Sequence, residues 1–188
     1  MNDGAPLPDL IAHDLTVLFC GINPGAYAAE RGHHFLGQGN RFWRVLHLAG
    51  FTPQLIHAAN DRLLLEQGCG ITSAVSRPTA RAAELAKREY LLAKESLVAK
   101  VKLYRPAYLA FLGKAAFEAM FDVQRAPWGA QAESIGETAI WLLPNPSGLN
   151  RGFSMDDLVS AYGALRLASG SRQFRNLRTR SATCGPPA

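Results

Sequence analysis

Short apolar runs alternate along this chain with longer stretches of helical period, a pattern that few folds can satisfy. LTVLFCGI (15–22) is continuously apolar with β-branched and aromatic members, the pattern of a strand buried on both faces. GCGITSAV (68–75), AYLAFLG (107–113) and TAIWLLPNPSG (138–148) read as three further strands. Between them, NRFWRVLHLAGF (40–51) places Phe42, Val45, Leu46 and Ala49 at helical spacing, with Gly50 where a helix C-cap belongs. Residues 58–67 read as a second helix. Residues 79–104 read as the longest, with Tyr90, Leu97, Val101 and Tyr104 on one stripe and Pro106 as the stop. Residues 115–121 form a short helix, and 154–168 the last, with Ser154 as N-cap and Asp156 and Asp157 in its first turn.

Strands that alternate with helices need crossover connections, which give a parallel sheet covered on both faces. The expected fold is α/β, three layers (α/β/α) around a central, mainly parallel four-stranded sheet. Ligands in such sheets bind beyond the carboxyl ends of the strands. Two strands end alike, in GINPG (21–25) and LPNPSG (143–148), so Asn23 and Asn145 are expected on one rim. Asn-Pro and Ser-Gly are also ordinary turn dipeptides, so either segment alone is only a strand exit.

With 188 residues and 48% hydrophobic content the chain suffices for one well-buried core. The reading is one domain over 15–170, an N-terminal extension over 1–14 and a basic tail over 171–188. No apolar run approaches the roughly 20 residues needed to span a membrane, and MNDGAPLPDL lacks the blocks of a signal peptide. A soluble, cytoplasmic monomer is expected. The net charge of +5 is concentrated at one end: after Asp157 there is no acid, and Arg166, Arg172, Arg175, Arg178 and Arg180 follow. Such a tail reads either as nonspecific phosphate attraction or as solvated disordered chain. Cys20, Cys69 and Cys184 are odd in number and far apart, with no C-x-x-C pair, which disfavours a disulfide framework or a zinc site. Cys20 and Cys69 lie in apolar stretches and are expected as buried thiols.

GHHF (32–35) offers two adjacent histidines that cannot easily face one ion and lack an acidic or cysteine partner nearby, so no metal site is expected. Neither G-x-x-x-x-G-K-[ST] nor G-x-G-x-x-G occurs, which removes the common nucleotide-binding loops. A flavodoxin-like small-molecule enzyme would need a phosphate loop that the sequence lacks.

Taken in order, FCGINPG, GNRFWRVLHLAGF, CGIT, RPT, FLGKAAFE, WG and LPNPSGLNR resemble the motifs of the mismatch-specific uracil-DNA glycosylase and thymine-DNA glycosylase family, from about residue 15 to about residue 162. The resemblance implies the uracil-DNA glycosylase-like doubly wound fold, no cofactor, and double-stranded DNA containing G:U or related mispairs as partner. It implies that Asn23 holds the attacking water and that Phe35 stacks on the extruded base. Ile22, Ala28, His34 and Asn145 are implied as further pocket residues, with Asn145 where stronger uracil glycosylases carry histidine. Gly148, Leu149 and Arg151 are implied as the wedge and the contacts to the mispair. GAYAAERGHHF, with Ala28 and His34, resembles the thymine-accepting branch, whereas NPSGLNR resembles the bacterial uracil branch, with Asn150 replacing the usual serine.

The chemistry of these residue types is self-consistent. Extruding a base costs a few kcal/mol, least when it is mispaired, and an apolar wedge can fill the vacancy. An asparagine amide does not titrate near neutrality, so Asn23 can orient water but cannot act as general base, and the base must leave largely as its own anion. The expected activity is slow, monofunctional removal of uracil, and weakly of thymine or ethenocytosine, leaving an abasic site. The alternative is a noncatalytic lesion-sensing DNA-binding module on the same fold.

Overall fold

The computed structural model describes residues 7–37 and 39–182, with side chains described as far as Gly170. Among the described residues five strands and six α-helices follow one another: β1 (Val17–Gly21), α1 (Ala26–Arg31), α2 (Phe42–Leu48), α3 (Leu63–Glu66), β2 (Cys69–Ser73), α4 (Lys87–Tyr104), β3 (Tyr108–Leu112), α5 (Ala115–Phe121), β4 (Gly129–Ile135), β5 (Thr138–Leu143) and α6 (Met155–Ala182). They form one sheet of order β2-β1-β3-β5-β4. All neighbours are parallel except β4, which runs antiparallel to β5.

The expected three-layer α/β fold is therefore present, with a sheet of five strands in place of four. The additional strand, β4, reads GAQAESI and alternates half-buried with exposed positions until Ile135. Only one of its ends carries a large apolar side chain, because an edge strand has one neighbour and one covered face. The apolar-run criterion finds strands buried on both faces and passes over this one.

Alternation along the buried strands builds the two cores. Val17 and Phe19 face α2 and α6, while Leu18 and Cys20 face the opposite layer with α4 and α5. Phe19 has ring centroids of Phe42, Phe51 and Tyr162 at 5.6, 5.3 and 6.2 Å, so truncating it to alanine would cost roughly 3–5 kcal/mol. Cys20 and Cys69 are buried free thiols, and burial pushes the Cys69 thiol up to about 12; Cys184 lies outside the described residues.

Local signals act as expected at two termini. Gly50 is left-handed (φ 81) and Phe51 N–H donates back to Leu46, closing α2. At α6 the Ser154 Oγ accepts the Asp157 N–H (3.1 Å) while the Asp157 carboxylate accepts the Ser154 N–H (2.8 Å), a reciprocal cap. α6 runs past the expected end at 168 to Ala182. The side chains of the expected basic tail lie outside the described residues.

Asp9 and Leu10, ahead of β1, are laced into the domain. Leu10 exchanges backbone hydrogen bonds with Ile71 (2.9 and 2.7 Å), and a Cβ on Gly70 would come within 2.5 Å of the Leu10 carbonyl oxygen, so β2 needs glycine there. Asp9 pairs with Lys100 (2.5 Å) and accepts from the Thr72 hydroxyl (2.7 Å).

Candidate active site

The chain leaves β1 and turns at once through Asn23, Pro24 and Gly25 into α1. This exit is laced to the segment after β2: Thr79 N–H donates to the Pro24 carbonyl (3.2 Å) and Ala26 N–H to the Thr79 carbonyl (2.9 Å). Within that lacing, Asn23 Nδ2 donates to the Arg77 carbonyl (2.8 Å) and to Thr79 Oγ1 (2.7 Å), and the Thr79 hydroxyl donates on to the Arg81 carbonyl (2.9 Å). A carbonyl only accepts, so the nitrogen end of the amide is fixed. Oδ1 is left as an acceptor with no donor among the described residues.

The exit from β5 gives the opposite result. Ser147 N–H donates to Asn145 Oδ1 (2.9 Å), and a backbone N–H only donates, so here the oxygen end is fixed. Asn145 Nδ2 is then the free group, a donor with no acceptor among the described residues. The turn is reinforced by Asn150 Nδ2, which donates to the Asn145 carbonyl (2.8 Å), and is tied to the core by the Tyr162 hydroxyl on the Pro144 carbonyl (3.2 Å).

β3 lies between β1 and β5 and ends in left-handed Gly113 (φ 108). A Cβ there would sit 3.5 Å from Ile22 Cδ1 and 3.8 Å from Asn145 Cβ, so the bare backbone separates the two exits by the least possible bulk. This is the edge of the sheet where an open α/β fold holds its ligand.

Ile22, Asn23, Ala28, His34, Phe35, Asn145 and Leu149 all line one cavity of about 160 Å³. A dry engineered cavity of roughly 150 Å³ takes up benzene, so the volume matches a single six-membered ring. Phe35 adopts a left-handed backbone (φ 53) and stacks on Phe42 with centroids 3.9 Å apart and planes at 24°. The strained conformation turns the ring back over the sheet edge, where it lies 3.6 Å from a Cβ position on Gly21.

His34 is 5% exposed and held from three sides. Its N–H donates to Asp61 Oδ2 (3.1 Å), its carbonyl accepts from Trp43 Nε1 (3.1 Å), and its ring Nε2 faces the Pro8 carbonyl (2.8 Å). Facing a carbonyl, Nε2 carries the proton. Burial holds the pKa below the ordinary histidine value, ahead of the opposing pull of the Pro8 carbonyl and of Asp61, so the ring is neutral at pH 7.

Gly148 and Arg151 do not line the cavity. Gly148 backs onto Gly39: a Cβ would lie 2.6 Å from the Gly39 carbonyl oxygen, and neither backbone can move aside cheaply. Arg151 is exposed, and Leu149 stands 77% exposed at the cavity rim.

Leu7, Asn40, Ser73, Thr79 and Ser147 also line the cavity and were not singled out by the sequence. Thr79 had a signal in RPT, one of the family-like segments. Leu7 had none, because its place depends on the pairing of Leu10 with Ile71. Among the described residues no group of histidine, cysteine or carboxylate side chains could hold a metal ion.

Fold and site together define an α/β protein with a ring-sized cavity at the carboxyl edge of its sheet, lined in part by the amides of Asn23 and Asn145. The chain belongs to the uracil DNA glycosylase superfamily, whose family model matches residues 8–166. Its fold is similar to the solution NMR structure of a candidate uracil DNA glycosylase from Methanosarcina acetivorans, at 18% identity and a TM-score of 0.57, covering 87% of this chain and 98% of that one. Membership of the superfamily supports a DNA glycosylase: a hydrolase of base excision repair with DNA as its partner.

Proposed function

We propose that this protein is a monofunctional, mismatch-specific uracil-DNA glycosylase that extrudes uracil from G:U pairs and hydrolyses its N-glycosidic bond, with weaker release of thymine and ethenocytosine. The observation that carries the reading is the opposed setting of the two amides. Asn23 offers an acceptor and Asn145 a donor to one ring-sized cavity.

The reaction needs both. A water that donates one hydrogen to Asn23 Oδ1 has a lone pair free for C1′ of the deoxyribose. As the C1′–N1 bond breaks, its electron pair passes to the base. Asn145 Nδ2–H faces the growing negative charge, the arrangement by which preorganised donors lower such barriers. The attacking water then loses a proton to solvent, and the base anion takes one up. The proposed nucleophile is water and not an amine, and no lysine is among the described residues lining the cavity.

Phe35, backed by Phe42, offers a flat surface to the extruded ring, and exposed Leu149 fits the vacancy left in the duplex. Ala28 is 5% exposed and presents only a methyl to the cavity. Thymine differs from uracil by one methyl, worth about 1–3 kcal/mol in a fitted pocket, so a small residue at 28 permits binding while the poorer thymine leaving group keeps release slow.

The test is single-turnover formation of alkali-labile sites in duplexes carrying G:U, G:T or G:ethenocytosine. Release from G:U should be fastest, with G:T at least about tenfold slower, and Ala28→Leu should depress G:T more than G:U. Tight mismatch binding with no abasic product from any duplex would overturn the assignment in favour of a lesion-sensing module.

A further inference from the structure

The loop that carries Leu149, residues 146–153, has no helix or strand of its own. It is nonetheless closely tied, and four of its carbonyls accept from one side chain outside it. Arg41 Nη1 donates to the Phe153 carbonyl (2.7 Å), Nη2 to those of Asn150 (2.8 Å) and Ser147 (3.2 Å), and Nε to that of Pro146 (3.4 Å). The Arg41 backbone N–H also donates to Pro146 (3.0 Å). One planar guanidinium thus draws four carbonyls of a single loop toward one point, which turns the opposite edge of that loop, with Leu149, outward.

Arg41 is well placed for this because it ends the segment that bears His34 and Phe35 and immediately precedes α2, whose Phe42 is fully buried. The close approach of Gly39 to Gly148 makes a second link between the same two segments. Base pocket and wedge loop are therefore built on one another. Lysine could not substitute, since a single ammonium has three donors and no fixed fork to span four carbonyls.

We infer that Arg41 is a positioning residue for penetration of the duplex: it holds the 146–153 loop in the shape that presents Leu149, so that the loop need not be ordered when DNA binds. The inference rests on the proposed reading of Leu149 as wedge. A preformed loop spares the ordering entropy that binding would otherwise consume, so the effect belongs to engagement of the duplex and acts through Leu149.

A double-mutant cycle tests this. Single-turnover uracil release from a G:U duplex is measured with enzyme in excess of the duplex but below saturation for wild type, Arg41→Ala, Arg41→Lys, Leu149→Ala and the two double variants. Arg41→Ala should lower the rate about tenfold in the wild-type background but less than about threefold once Leu149 is alanine, with Arg41→Lys recovering little. An equal factor in both backgrounds, or no loss in Arg41→Lys, overturns the inference, since a general weakening of the fold would not depend on Leu149. If Leu149→Ala alone leaves duplex release unchanged, the wedge reading itself falls. A selective loss in Leu149→Ala without one in the Arg41 variants removes only the role of Arg41.

Discussion

The two strand exits that form the site are written almost alike and are built in opposite ways. Asn23 is fixed by partners 54 and 56 residues away, which capture its nitrogen and release its oxygen. Asn145 is fixed by the N–H two residues on, which captures its oxygen and releases its nitrogen. The same side chain thus becomes an acceptor in one loop and a donor in the other. An amide has no charge state to tune, so which of its two ends the fold occupies is the only way to assign it a role.

The contrast is sharpest if each amide is changed at its free end. Asn145→Asp keeps an oxygen for Ser147 N–H but places a negative charge where the departing base becomes anionic. Uracil release should fall on the order of 10²–10³-fold, the cost of losing a preorganised donor, with duplex binding retained. A variant as active as wild type would remove Asn145 from the chemistry.

Asn23→Ala removes the acceptor without a core contact, and base release should drop by at least about tenfold while DNA binding persists. Thr79→Val should act in the same direction but less, by about three- to tenfold, because the Arg77 carbonyl still holds the amide nitrogen and only the hydroxyl is lost. Thr79→Ser should restore the rate. Failure of serine to do so would show that Thr79 contributes packing and not the orientation of Asn23.

The smallest expected effect concerns pH. Neither amide titrates, so above about pH 6.5, the ordinary histidine value, single-turnover release should be flat to about pH 8.5. Below it, His34 enters. Its folded pKa is depressed, so the unfolded chain takes up the proton first, and the stability contributed by the neutral ring is full above about 6.5 and lost as pH falls through the folded value. Chemical denaturation between pH 7 and 5 should show this loss in wild type and a shallower one in His34→Gln. Equal slopes would place the acid sensitivity elsewhere.

Much of this was legible in the sequence because the responsible interactions are short in range or uniform in character. Two-sided burial writes itself as unbroken apolar runs, and β1, β2, β3 and β5 were visible for that reason. β4 was not, since half of an edge strand faces water and its small and polar residues carry no comparable pattern. α1 was missed as well: its six residues begin directly after Asn-Pro-Gly, which reads as a loop, and no side chain caps it. Seven of the nine candidate residues meet in one cavity, while Gly148 and Arg151 stand apart from it.

The alternating architecture and the placing of two asparagines at strand ends on one rim could be read from the chain alone; the hold of Ser147 N–H on Asn145 Oδ1, though local, was read from the structure. The setting of Asn23, the burial of His34 against Pro8 and the hold of Arg41 on the wedge loop were decided only by the tertiary structure. Each of these joins a side chain to backbone or hydroxyl groups remote in sequence. Carbonyls are the same at every residue, so nothing in a one-dimensional pattern says which of them a distant donor will meet until the sheet order has brought the loops together.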